Sequence, residues 1–156
     1  MNVSKCHWLI VLGLLAGCAS PSSPSTPPTY TLEQAADSIP IRYGDMAVVG
    51  TMLLTFDDVP EDSRCPTTVQ CGVAGDATVV GGVTSACALS TPPCSVPILT
   101  LTLHTDAMPR ADTLGGREYR LVALRPIPTV PGPIPKARYV AWLRVRPVTR
   151  NASQFG

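Results

Sequence analysis

Proline and glycine punctuate this chain so often that long helices are excluded and short strands are favoured. There are 17 prolines and 12 glycines, and a proline inside a helix both removes a backbone donor and clashes with the preceding turn. Between these breaks the chain after Tyr30 is rich in β-branched residues with apolar and polar positions alternating. One brief helix is expected at Thr31–Ala36, capped by Thr31 and stopped before Pro40. Strands are expected at Ile39–Tyr43, Met46–Asp58, Ala77–Thr84, Val96–Thr105, Arg117–Arg125 and Ala137–Arg146.

The pattern within each run predicts its faces. Met46–Asp58 is apolar on both parities, as a central strand would be, with Gly50 permitting a bend and Gly44-Asp45 turning the chain into it. A kink is expected at Gly81-Gly82. In Val96–Thr105, Leu99, Leu101 and Leu103 point inward, while Thr100, Thr102 and His104 point outward. In the last strand Tyr139, Ala141, Leu143 and Val145 share one face; Arg138, Arg144 and Arg146 share the other, where Trp142 is placed to stack on an arginine. Pro126–Pro135 is a stiff extended connection. The fold class is all-β, a small antiparallel β-sandwich or open barrel of about six strands.

The N-terminal segment points to export. Lys5 precedes the apolar run Trp8–Leu15, which is too short to cross a bilayer, and Leu15-Ala16-Gly17-Cys18 then has the form of a lipobox. Residues 1–17 are expected to be a lipoprotein signal peptide, with Cys18 the first mature residue and the point of acylation, including palmitate. Each buried acyl methylene contributes about 0.8 kcal/mol, so two or three chains hold firmly. Residues 18–29, rich in Ser and Pro, form a disordered tether; residues 30–147 form the β domain and residues 148–156 a flexible tail. Ala19 follows the anchor, which in a Gram-negative cell corresponds to the outer membrane, with the protein facing the periplasm.

Charge and cysteine usage narrow the chemistry further. The 12 Lys and Arg include Lys5, so the mature chain carries 11 groups of each sign, and nucleic acid is not expected as a partner. Acidic residues cluster before Arg110 and basic ones from Arg110 onward, and the two sets are expected to pair within the domain. With Cys6 in the leader and Cys18 acylated, Cys65, Cys71, Cys87 and Cys94 remain. In an oxidising compartment they form disulfides, and pairing Cys65 with Cys71 and Cys87 with Cys94 closes the smallest loops. Zinc is the rival reading, which the lack of Cys-x-x-Cys spacing disfavours.

The densest pattern runs from Asp57 to Gly75. Its Asp62-Ser63-Arg64-Cys65-Pro66, then Gln70-Cys71, then Ala74-Gly75, resembles a family of small bacterial exported lipoproteins with a β-rich domain. The resemblance spans Ile39 to Pro147 and is specific across Asp62–Gly75. It implies that the two-cysteine segment is one structural unit and carries no activity across. Val73 stands where such sequences often have tryptophan. Read on their own chemistry, Asp62, Ser63, Arg64 and Gln70 are candidates for a binding loop, whereas Asp62 capping a turn or pairing with Arg64 is the structural alternative.

Catalytic sets are not evident. His104 is the sole imidazole of the mature chain, is expected to be an exposed surface histidine, and has no Gly-x-Ser-x-Gly sequence beside it. Asp57, Asp58, Glu61 and Asp62 offer hard oxygen ligands without the spacing of an EF-hand. The expected function is therefore a non-enzymatic, lipid-anchored envelope protein without cofactor or metal, attached to the membrane and binding an envelope protein or polymer through the Asp62–Gly75 and Pro126–Pro135 loops. An exported inhibitor of a hydrolase is the alternative, and a hydrolase using Asp57, Asp58 or Asp62 is the third reading.

Overall fold

A computed structural model describes residues 26–148, in which nine strands form two facing sheets. The five-stranded sheet has the order β1 (Thr29–Tyr30), β3 (Met46–Val49), β4 (Met52–Asp58), β5 (Thr78–Ser85) and β6 (Leu99–His104). The four-stranded sheet has the order β2 (Ile39–Arg42), β9 (Val140–Pro147), β8 (Arg117–Arg125) and β7 (Ala111–Leu114). All pairings are antiparallel except β1 with β3. The result is a small all-β sandwich with no closed barrel. Its core joins inward residues of both sheets, including Ile41, Leu54, Phe56, Leu103, Leu143 and Val145. Tyr119 is fully buried there, and its hydroxyl has no hydrogen-bond partner among the described residues.

Several elements depart from the sequence expectation for identifiable reasons. Met46–Asp58 is a hairpin, not one strand, because Gly50 adopts a positive φ of 59° and turns the chain between β3 and β4. Two short strands read end to end as apolar on both parities. The strand β7 was hidden by its brevity, although Gly115-Gly116, both at positive φ, supply the tight turn that joins it to β8. The expected inward Leu99 is 40% exposed, since it sits on the last rung of the β5–β6 ladder, and burial begins at Leu101.

β5 runs unbroken through Gly81-Gly82, with no shift in its register against β6. The irregularity lies on its partner, between Phe56 and Asp58. These glycines instead allow close approach: a Cβ on Gly81 would collide with the Thr55 carbonyl, and one on Gly82 would meet the Thr55 hydroxyl, which accepts the Gly82 N–H at 2.9 Å.

Helix α1 (Leu32–Asp37) forms where expected, with Thr31 and Gln34 making a reciprocal capping box. Its last carbonyls are met by β9: Arg144 Nε donates to Asp37 O at 3.0 Å, and Arg146 Nη2 donates to Ala36 O at 3.2 Å. These bonds tie two of the three arginines expected on Trp142's side of the strand to the end of α1. The domain also begins earlier than residue 30, because an open edge of β3 recruits backbone that lacks any apolar side-chain signal. Thr29 pairs with Val48, whose N–H also donates to Pro28 O. At the other end Val148 N–H donates to Gly116 O, one residue past the expected boundary. The expected leader, Cys18 and tether up to residue 25, and the tail from residue 149, lie outside the described residues.

Candidate functional site

The prolines of the 126–135 loop carry no N–H, so the loop has more backbone acceptors than donors. In this fold the donors come from the Asp62–Gly75 segment. Arg64 Nη1 donates to Leu124 O at 2.6 Å and Nη2 to Pro126 O at 3.0 Å, Thr67 N–H donates to Pro128 O at 3.0 Å, and the Thr68 hydroxyl donates to Thr129 O at 2.6 Å. The two loops expected to act as separate contact surfaces are thus zipped into one.

Arg64 is fixed in turn by Asp62. The carboxylate accepts Nε at 2.8 Å, Nη2 at 2.6 Å and the Arg64 backbone N–H at 3.2 Å, and both side chains are only 11% exposed. Tyr139, buried immediately before β9, donates its hydroxyl to Asp62 Oδ2 at 2.8 Å. Burial pushes the Asp62 carboxyl up, but the Arg64 and Tyr139 hydrogen bonds outweigh it and hold the group below the ordinary carboxylate range. For Tyr139, burial and the hydrogen bond to Asp62 act together and push the phenol up to about 12.

The base of the segment is held to β5. Asp62 bridges Ala77, Ser63 N–H donates to Asp76 O at 2.7 Å, and the Ser63 hydroxyl both donates to Asp76 O and accepts the Asp76 N–H. Gly75 is required here, since a Cβ would collide with the Ser63 carbonyl. Disulfides join Cys65 to Cys71 and Cys87 to Cys94, the pairing with the smallest loops. Asp62, Ser63 and Arg64 therefore all make scaffold contacts, the structural alternative for Asp62, while remaining at the edge of the groove described below. Of that set only Gln70 is left as a surface side chain with no hydrogen bond among the described residues.

A second cluster was invisible in the sequence. Asp76 accepts from His104 Nδ1 at 2.7 Å, the Thr105 hydroxyl at 2.9 Å, and the N–H groups of Asp106 and Ala107 at 2.8 and 3.3 Å. His104 is on the polar parity of β6, as expected, but it is partly buried against this carboxylate, not a free surface histidine. Burial raises the Asp76 pKa, yet these donors together drive it well below the ordinary value.

The remaining acidic residues have separate fates. Asp58 Oδ1 accepts from Lys136 Nζ at 2.6 Å, which lowers the Asp58 carboxyl and raises the Lys136 amine, while Asp57 and Glu61 are exposed. No group of three or more metal-ligating side chains comes together among the described residues. The Lys136–Asp58 pair is also the only salt bridge among the described residues that joins the acid-rich part before Arg110 to the basic part from Arg110 onward. The expected internal charge complementarity is limited to that link.

Zipping the loops together leaves a groove of about 540 Å³ at one end of the sandwich. Pro60, Pro66, Pro128, Pro131, Pro133 and Ile134 form much of its wall, with Ser63, Lys136 and the buried Asp62–Arg64–Tyr139 set supplying the polar part. Sequence reasoning named both loops but missed Thr67, Thr68, Lys136 and Tyr139. The legible signal was the excess of carbonyls over N–H groups in the proline loop, which leaves acceptors open to donors from another segment or from water. No helix among the described residues is long and apolar enough to cross a membrane. No protein-family model, curated protein or solved structure matches the chain.

Proposed function

We propose that the protein is a non-enzymatic, lipid-anchored component of the cell envelope whose proline-walled groove binds an extended segment of another envelope protein or polymer. In a Gram-negative cell it sits on the outer membrane and faces the periplasm. The observation that carries the reading is the latch between the two loops. Arg64, Thr67 and Thr68 make the proline loop rigid, and a preformed concave surface loses little conformational entropy when a ligand enters it.

Site-specific photo-crosslinking in cells tests this. A crosslinker replacing Pro133, exposed on the groove wall, is expected to give a discrete envelope adduct that Ile134→Glu abolishes, whereas one replacing Thr100, exposed on β6, is not. No adduct at residue 133, or the same adduct at both positions, contradicts the reading.

A second reading has one observation in its favour. Val73, 82% exposed just beyond the Cys65–Cys71 bridge, is an apolar tip on a pinned loop, the feature expected of an exported inhibitor that offers a constrained residue to a hydrolase. Inhibition of an envelope hydrolase that Val73→Asp abolishes would establish it.

A further inference from the structure

The outer face of the four-stranded sheet carries the charge that the internal pairing leaves over. With Ile41, Ala141 and Leu124 turned into the core, the rung Arg42–Val140–Arg125 points outward, next to the rung Pro40–Trp142–Ala123. Arg120 and Arg144 extend the same face, on which Glu118 offers a carboxylate 3.5 Å from Arg120. Arg42 and Arg125 are exposed, and neither forms a salt bridge among the described residues.

These groups surround a hollow of about 430 Å³ lined by Pro28, Tyr30, Arg42, Met46, Arg125 and Trp142, with Asp45 as its acidic member. Pro28 is ten residues from Cys18, a length that spans at most about 35 Å. The chain enters the domain beside the arginines and the tryptophan, so an anchor at Cys18 keeps this entry point within about 35 Å of the bilayer.

We propose that this face docks onto anionic phospholipid headgroups of the membrane that holds the anchor. The proposal rests on the anchoring part of the proposed function and adds an orientation to it. Guanidinium groups pair with headgroup phosphates, indole is favoured at the boundary between headgroups and acyl chains, and Met46 and Tyr30 add apolar surface beside it. With this face on the membrane, the two arginines contribute about fivefold each to partitioning at physiological salt, and the domain no longer rotates freely on its tether.

The test uses residues 18–156 carrying Cys18→Ser, which removes the acyl chains and no described element. Flotation with phosphatidylcholine vesicles, with and without phosphatidylglycerol, is expected to show binding only to the anionic vesicles. The Arg42→Gln/Arg125→Gln protein should partition about 25-fold more weakly, Trp142→Ala should also weaken binding, and Arg42→Lys/Arg125→Lys should retain it. Equal binding to both vesicle types, or to neither, overturns the proposal. So does displacement by inorganic phosphate at matched ionic strength, which would indicate a site for the free anion, and so does capture of an acidic polypeptide but not of vesicles. The anchor is judged separately: lack of palmitate incorporation at Cys18 would remove the anchoring reading and leave the flotation result standing.

Discussion

Asp76 shows how much one carboxylate can organise without any local motif to announce it. It closes the space between the Ser63 turn, the start of β5 and the end of β6 through donors from His104, Thr105, Asp106 and Ala107. Its folded pKa lies well below the unfolded value of about 3.9. A depressed carboxylate contributes stability that is fully present above the unfolded pKa and is lost as pH falls toward the folded one. Urea unfolding is therefore expected to show stability dropping below about pH 4, with a shallower acid limb for Asp76→Asn. Parallel acid limbs for the two proteins would contradict this account of the site.

At the scale of elements, the Asp62–Arg64 fork joins two loops that are far apart in sequence. Removing Arg64 leaves the Asp62 carboxylate buried and the Leu124 and Pro126 carbonyls without these donors. Arg64→Ala is expected to cost about 3 kcal/mol, read from urea unfolding, and to expose the proline loop to proteolysis. Arg64→Lys should fall between the two, because an ammonium restores the charge without the planar fork. A loss below about 0.5 kcal/mol, the range of ordinary surface changes, would show that the latch is not structural.

The strands with clean alternation, β2, β8 as far as Leu121 and the buried face of β9, could be read from the sequence because period-two patterning and burial have the same cause there; the irregularity between Leu121 and Ala123 breaks that period. The β3–β4 hairpin could not, since Gly50 is equally compatible with a bend in one strand. The Asp62–Arg64 pair was legible as a local contact. Its reach to Leu124, Pro126 and Tyr139 depended on topology, which local spacing does not encode.

Across the whole molecule, the two proposed surfaces follow from the same accounting of polar groups. The loop end spends its donors on the proline carbonyls and becomes a rigid groove, while the outer face of the four-stranded sheet keeps its arginines beside Trp142, close to where the chain enters. Both readings place the sandwich in the cell envelope, held through Cys18 and stapled at Cys65–Cys71 and Cys87–Cys94. The intact mass and thiol count of the protein isolated from palmitate-fed cells test that placement most directly. The account predicts a chain beginning at Cys18, bearing acyl groups, with both bridges oxidised and no free thiol. A chain beginning at Met1, with Cys18 unmodified and the other cysteines reduced, would contradict it.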